Sequence, residues 1–260
     1  MLKGIDHVVI VVADLDRAIT GFEALGFTVV RGGRHTGLGT HNALIAFADG
    51  AYFELIAFLV PASTHRWFAA VSKGGGLTDF CMQTGDLDAD AASFKRAGAA
   101  IGEPFAMERE RPDGYVLKWV LAVAEPPSAG AVPFLIRDTT PRDERVPRAR
   151  AHRNGAAGIR TLTVAVEDAA APRAFYERVL GARGEECRRD DLGAAGVRFV
   201  VASDAAQHEL QFVAPVSETG VAAEWLRVNG PSPCEVTLRG PAAASSLLDT
   251  ARAQNARILL

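Results

Sequence analysis

"GIDHVVIVVADLDRAITGF", residues Gly4–Phe22, decides the fold. Its first half is apolar and β-branched, the composition of a buried strand. Asp14 ends that run and suits the start of a helix. Ile19, Phe22 and Leu25 then recur at helical spacing, and Gly26 closes the helix as C-termini prefer. One residue breaks the apolar pattern: His7, on the strand.

The frame recurs. "GLTDFCMQTGDLDAD" (Gly76–Asp90) aligns without a gap on Gly4–Ala18, setting Gly76 on Gly4, Asp79 on His7 and Asp86 on Asp14. "GIRTLTVAVEDAAAP" (Gly158–Pro172) keeps the glycine and acid offsets, with Thr161 at the histidine position. "PCEVTLRGPAAASSLL" (Pro233–Leu248) is a weaker copy. Each reads as strand then helix, and further strands follow: "NALIAFAD" and "AYFELIAF" in the first copy, "EPFAMERE" and "YVLKWVLAV" around the Pro112-Asp113-Gly114 turn in the second. The unit is βαβββ, present three times and once truncated where its second strand is due. The fold class is α+β: tandem βαβββ units whose mixed sheets form a U, partly open, with helices packed outside. The expected organisation is a paired module over 1–138, a linker over 139–155, and a third unit plus the truncated fourth over 156–260. The stretch "RDTTPRDERVPRARAHRNG" at 137–155 is charged, non-periodic and interrupted by two prolines, which reads as a solvated crossing segment with no partner role.

Composition narrows the function classes. The chain has 260 residues, 48% hydrophobic and 23% charged, with a formal net charge of -3. That excludes a global basic field drawing it to nucleic acid or an anionic membrane. Cys81, Cys187 and Cys234 are odd in number and lack short spacings, which argues against a disulfide framework or a CxxC zinc site. A reduced cytoplasmic setting is expected. The run Val8–Ala13 is too short to span a bilayer and no cleavage pattern follows it, so no signal peptide is expected.

Tandem βαβββ units with a strand-borne histidine and a later strand-borne glutamate resemble the vicinal oxygen chelate superfamily, which includes glyoxalase I, extradiol dioxygenases, methylmalonyl-CoA epimerase, fosfomycin-resistance enzymes and bleomycin-binding proteins. "DHVVIVVADLDRA", "RHTGLGTHN", "YFELIAF" and "RERPDGYVLKWVLA" followed by "VPFLI" look like its glyoxalase-like domain branch. The resemblance covers about 4–138 well and 156–215 weakly. It implies two units paired around a divalent metal held from the first and last strands of each. Carried over by position, the ligands are His7, Glu54 and Asp79, with Phe134 where the family has a glutamate. The implied ion is Mn, Fe, Ni, Co or Zn. In the second half Thr161 and Cys234 take the histidine positions and Glu209 stands nearly alone, which implies a degenerate copy serving packing or dimer formation.

The residues support part of this directly. Strand alternation puts His7, Val9 and Val11 on one face, and Tyr52, Glu54 and Ile56 on one face. A glutamate inside "YFELIAF" is costly to bury unless paired or metal-bound. Asp79 also suits a strand start that caps a turn or pairs with an arginine. In "RHTGLGTHN", His35 and His41 flank a Gly-x-Gly turn and are candidates for a catalytic base or substrate contact, with Asn42 as a donor. No helix follows the glycines, so they are no dinucleotide fingerprint. Arg109, Arg111, Lys118 and Trp119 lie on a strand pair that can meet an anionic or planar ligand. The expected function is a metal-dependent lyase or isomerase acting on a small oxygenated carbonyl compound. The alternatives are a metal-free small-molecule binding protein of the bleomycin-resistance kind and, less, an extradiol-type dioxygenase. The expected partners are a small molecule and, through an unpaired strand edge, a second copy in a homodimer.

Overall fold

The computed structural model describes residues 2–61, 64–149, 151–202, 206–241 and 245–260. The first unit is β1 (Leu2–Val11), α1 (Leu15–Ala24), β2 (Val30–His35), β3 (Thr40–Ala46) and β4 (Tyr52–Phe58). A short helix α2 (Phe68–Ser72) leads to the second: β5 (Gly76–Thr84), α3 (Leu87–Ala97), β6 (Phe105–Glu110), β7 (Val116–Ala122) and β8 (Phe134–Asp138). The acids of the repeat act as anticipated. Asp14 accepts from the Arg17 amide and Asp86 from the Ala89 amide, satisfying donors that a helix start leaves open. Gly98, at φ 101°, ends α3 in the left-handed region that glycine enters without strain.

Within each unit the first and fourth strands pair in parallel, β1 with β4 and β5 with β8. β1 and β5 run antiparallel at the centre. The far arms of the U meet through a short ladder, Arg34 opposite Glu110 and His35 opposite Arg109, so the eight strands close into a barrel. Alternation then assigns the faces. Val9, Val11, Ile56, Cys81, Leu117, Trp119, Phe134 and Ile136 fill the interior. Val8, Ile10, Phe53, Leu55 and Phe80 face outward, into a core shared with Phe22 of α1 and Phe94 of α3.

The third unit is β9 (Gly158–Ala165), α5 (Ala170–Leu180), β10 (Glu185–Arg189), β11 (Ala194–Ala202) and β12 (Gln207–Pro215). After α6 (Val221–Asn229), β13 (Ser232–Arg239) and β14 (Ile258–Leu259) complete a six-stranded sheet of order β10-β11-β12-β9-β13-β14. The fourth copy departs from expectation. Residues 245–257 form turns rather than a helix, and β14 pairs in parallel with β13, the relation of a fourth strand to a first.

The two halves share one core, in which Leu162, Phe175, Tyr176 and Phe212 join the outward face of the barrel. A polar clasp reinforces it. Asp49 accepts from the Ile159 amide at 2.7 Å and from Arg239 at 3.1 Å, and His208 Nδ1 accepts from the Ile5 amide at 3.0 Å. No helix among the described residues is long and apolar enough to cross a membrane, and the three cysteines are free.

The segment read as a solvated linker is not one. It carries α4 (Arg142–Arg145), and Arg145 is 3% exposed, its guanidinium inserted at one end of the barrel. Val146 packs there against Leu44, Ala46 and Tyr52. His152 is buried against Phe27 and Phe47. Charge and proline content identified an irregular segment; buried counter-charges, invisible to composition, drew it in.

Candidate functional site

Inward alternation on β1, β3, β4 and β6, with the end of β2, aims His7, Asn42, Glu54, Arg109 and His35 into one small, half-open cavity. Trp119, Phe134, Met107, Ile136 and Trp67 supply its apolar wall. A mostly apolar lining with a few convergent polar groups is the usual character of a small-molecule site.

Glu54 is the hub. His7 Nε2 lies 3.4 Å from Oε2, His35 Nε2 lies 3.6 Å from Oε1, and Asn42 Nδ2 donates to Oε1 at 2.6 Å. Both imidazoles are pinned from behind. His7 Nδ1 sits 2.7 Å from Asp6 Oδ1, and His35 Nδ1 lies 2.9 Å from Thr40 Oγ1, brought close by the Gly37–Gly39 turn. His7 also stacks on Tyr52, with ring centroids 4.7 Å apart.

Protonation follows from this packing. Burial opposes ionisation of Glu54, but the hydrogen bond and charge of His7, with His35 and Asn42, pull its pKa down to about 2. Burial would lower His7, yet its bonds to Asp6 and Glu54 outweigh that and raise it. His35 lacks such support, and burial takes it down to about 4, so it is a neutral imidazole at neutral pH. Asp6, with no exposure, is held well below the carboxylate range because Arg145 and Arg142 outweigh its burial. Arg145 donates to both Asp6 oxygens and to the Tyr52 hydroxyl, which accepts at 2.7 Å. Sequence reasoning missed Asp6, Tyr52 and Arg145. The parity of β1 and β4 placed Tyr52 inward, but nothing local linked position 145 to position 6.

The remaining candidates separate. Asp79 faces inward from β5 but is set apart from His7 and Glu54: Oδ2 accepts from the Trp67 indole at 2.9 Å and lies 3.2 Å from Arg66, and Oδ1 takes the Phe80 amide. It is the arginine-paired aspartate, anchoring Arg66 and Trp67 beside the cavity. His41 falls on the outer face of β3, in a groove with Arg31, Arg34 and Arg111, because it neighbours the inward Asn42. Arg111 is outside too, bonded to Asp113 and Glu144. Lys118 is exposed between the inward Leu117 and Trp119. In the second half Glu209 binds Arg198 at 2.9 Å and Gln211 at 2.6 Å.

Two donor sets bear on a metal. Among the described residues, Asp6, His7 and Cys81 bring one ligand atom each within 4.8 Å of one another. That trio does not fit an ion: Asp6 is already neutralised by two arginines, and burial pushes the Cys81 thiol well above its ordinary value. His7 Nε2 and Glu54 Oε2 do fit. Two N/O ligands about 2.1 Å from one ion at a tetrahedral angle stand about 3.4 Å apart, and Asp6 behind His7 is the outer partner that metal-bound histidines use.

A model of the glyoxalase-like domain family matches residues 5–180. No curated protein matches the chain. Among solved structures, a hypothetical protein from Staphylococcus aureus is similar over 100% of this chain and 98% of its own, at 15% identity and TM-score 0.69. A variant of 4-hydroxymandelate synthase from Streptomyces coelicolor is similar over 91% of this chain and 71% of its own, at 15% identity and TM-score 0.58. A methylmalonyl-CoA epimerase from Streptomyces coelicolor covers 54% of this chain with 100% of its own, at 22% identity and TM-score 0.42.

Proposed function

The chain belongs to the glyoxalase-like domain family of the vicinal oxygen chelate superfamily, and from that premise we propose that it is a divalent-metal-dependent lyase or isomerase acting on a small oxygenated carbonyl compound. The observation that carries the reading is the 3.4 Å approach of His7 Nε2 to Glu54 Oε2 on the cavity floor, with His7 fixed from behind by Asp6. These two residues would hold the ion; among Mn, Fe, Ni, Co and Zn, the N/O donor pair does not discriminate. The bound ion would supply a Lewis acid for the substrate's oxygen. His35, a neutral imidazole at neutral pH that faces the same space, is the proton acceptor through Nε2 in the tautomer that carries its proton on Nδ1, toward Thr40 Oγ1. Asn42 orients Glu54, and the apolar wall of Trp119, Phe134 and Trp67 excludes water.

A second reading, a metal-free binding protein, has its own support: Asn42 and the imidazoles already satisfy Glu54 without an ion. The test is metal content after loading with Mn or Zn and desalting. The enzyme reading expects one ion per chain, lost in His7→Ala and Glu54→Gln and kept in His35→Gln. No retained ion in the unmutated protein overturns it in favour of the second reading. Loss of the ion in His35→Gln makes His35 a ligand instead of a base.

A further inference from the structure

Arg109 presents a charge that the protein leaves unanswered. It lies on the cavity wall at 3% exposure. Nη1 donates to Asn42 Oδ1 at 3.0 Å and Nη2 to the Arg145 carbonyl at 3.1 Å, both neutral acceptors. Nε–H is buried with no hydrogen-bond partner, and among the described residues no carboxylate lies within ion-pair distance. Asn42 is the reason. Its amide stands between Arg109 and Glu54, accepting from one and donating to the other, so the two opposite charges do not collapse onto each other. Gly32 packs over this arrangement: a Cβ there would fall 2.0 Å from Asn42 Oδ1 and 2.7 Å from Arg109 Nη1. A buried, uncompensated guanidinium is destabilising, and an orphaned buried donor adds to that. Other buried charges of the barrel are paired: Asp6 with Arg145, Glu54 with His7 and Asp79 with Arg66.

We propose that Arg109 is the anchor for a carboxylate on the ligand, and that the cavity takes a small monoanionic carboxylic acid with an aromatic or similarly flat apolar body. The guanidinium fork matches a carboxylate's two oxygens. A dianion such as a phosphate monoester is disfavoured, because one cation is free and the ionised Glu54 would face the second negative charge. Trp119, Phe134, Trp67 and Met107 receive the apolar body. The inference rests on the reading of this cavity as a substrate site and names its substrate class; it does not depend on the metal.

Tryptophan fluorescence reports the event, since Trp67 and Trp119 line the cavity. The probes are benzoate, phenylacetate and 3-phenylpropanoate, each against its primary amide and against phenyl phosphate, with the full chain in EDTA and again after Mn loading. At least one acid is expected to saturate the signal at least tenfold more tightly than its amide and than phenyl phosphate. Arg109→Gln is expected to weaken that acid at least tenfold while the amide stays within twofold, which controls for folding. Arg109→Lys, the second variant, keeps the cation without the fork and is expected to lose at least tenfold for the acid alone. Equal binding of acid and amide, unchanged acid binding in the variants, or no saturation by any of the acids in either metal state overturns the proposal. An acid preference with no retained metal sinks only the metal-enzyme reading, and retained metal without acid preference sinks only this one.

Discussion

Arg145 donates from Nη1 and Nη2 to the two carboxylate oxygens of Asp6, at 3.1 and 3.0 Å, with both side chains buried. The segment joining the two halves thus supplies the counter-charge for the residue that orients His7. Removing one member of a buried ion pair strands the other. Arg145→Met is expected to destabilise the fold by about 3 kcal/mol at pH 7, read by urea unfolding. A loss below about 1 kcal/mol would show that Arg142 alone neutralises Asp6.

Acid should weaken the metal-free protein in two stages. The folded pKa of His35, about 4, lies below its ordinary 6.5, so its contribution is fully present above pH 6.5 and is lost as pH falls through 4. Glu54, about 2 against an ordinary 4.5, contributes above pH 4.5 and loses that as pH falls towards 2. His7 runs the other way: raised in the fold, it contributes below 6.5 and loses that as pH rises through its folded value. Denaturation at stepped pH in EDTA is expected to show up to about 3 kcal/mol lost between pH 6.5 and 4 from His35. His35→Gln should flatten that slope and leave the lower stage in place.

Gly32→Ala tests how the Asn42–Arg109 pair is shaped. The added methyl has no space, and the atoms it meets belong to a network on the cavity wall. The expected outcome is a loss of about 1–3 kcal/mol in stability from overpacking, with Arg109 displaced from Asn42. A crystal structure of the variant with that pair intact would contradict it.

Asp79→Asn separates anchoring from metal binding. Its carboxylate holds Trp67 and Arg66, and Arg66 lies over the Trp67 and Phe134 rings at 4.5 and 4.6 Å. The variant is expected to keep the metal occupancy of the unmutated chain while trypsin cuts after Arg66 several-fold faster. Loss of the ion with unchanged proteolysis would restore Asp79 as a ligand.

The halves are expected to unfold together. Their apolar side chains form one continuous core, and Asp49 and His208 bond across it. Urea transitions followed by tryptophan fluorescence and by far-ultraviolet dichroism should coincide. Two resolved transitions would instead support separate domains meeting at 139–155.

Period-two and period-3.6 patterning, the capping aspartates and the repeat at Gly4, Gly76 and Gly158 were local signals, and they determined the units and which residues share a face on β1 and β4; the family resemblance supplied the pairing of His7 with Glu54. The same parity rule, applied strictly, also divides Asn42 from His41 and Trp119 from Lys118, whereas Arg111 leaves the cavity because it lies in the turn beyond the end of β6, where alternation stops. Proximity in "RHTGLGTHN" had obscured that division, because neighbouring strand residues point to opposite faces. Tertiary structure alone decided the rest. Asp79 occupies the expected strand position yet is taken by Trp67 and Arg66, which arrive from the turn before α2. Arg145 crosses 139 positions of sequence to neutralise Asp6. Both outcomes follow from one physical cause: a buried charge must find its partner, and the partner is whichever side chain the closed barrel brings within reach, wherever it lies along the chain.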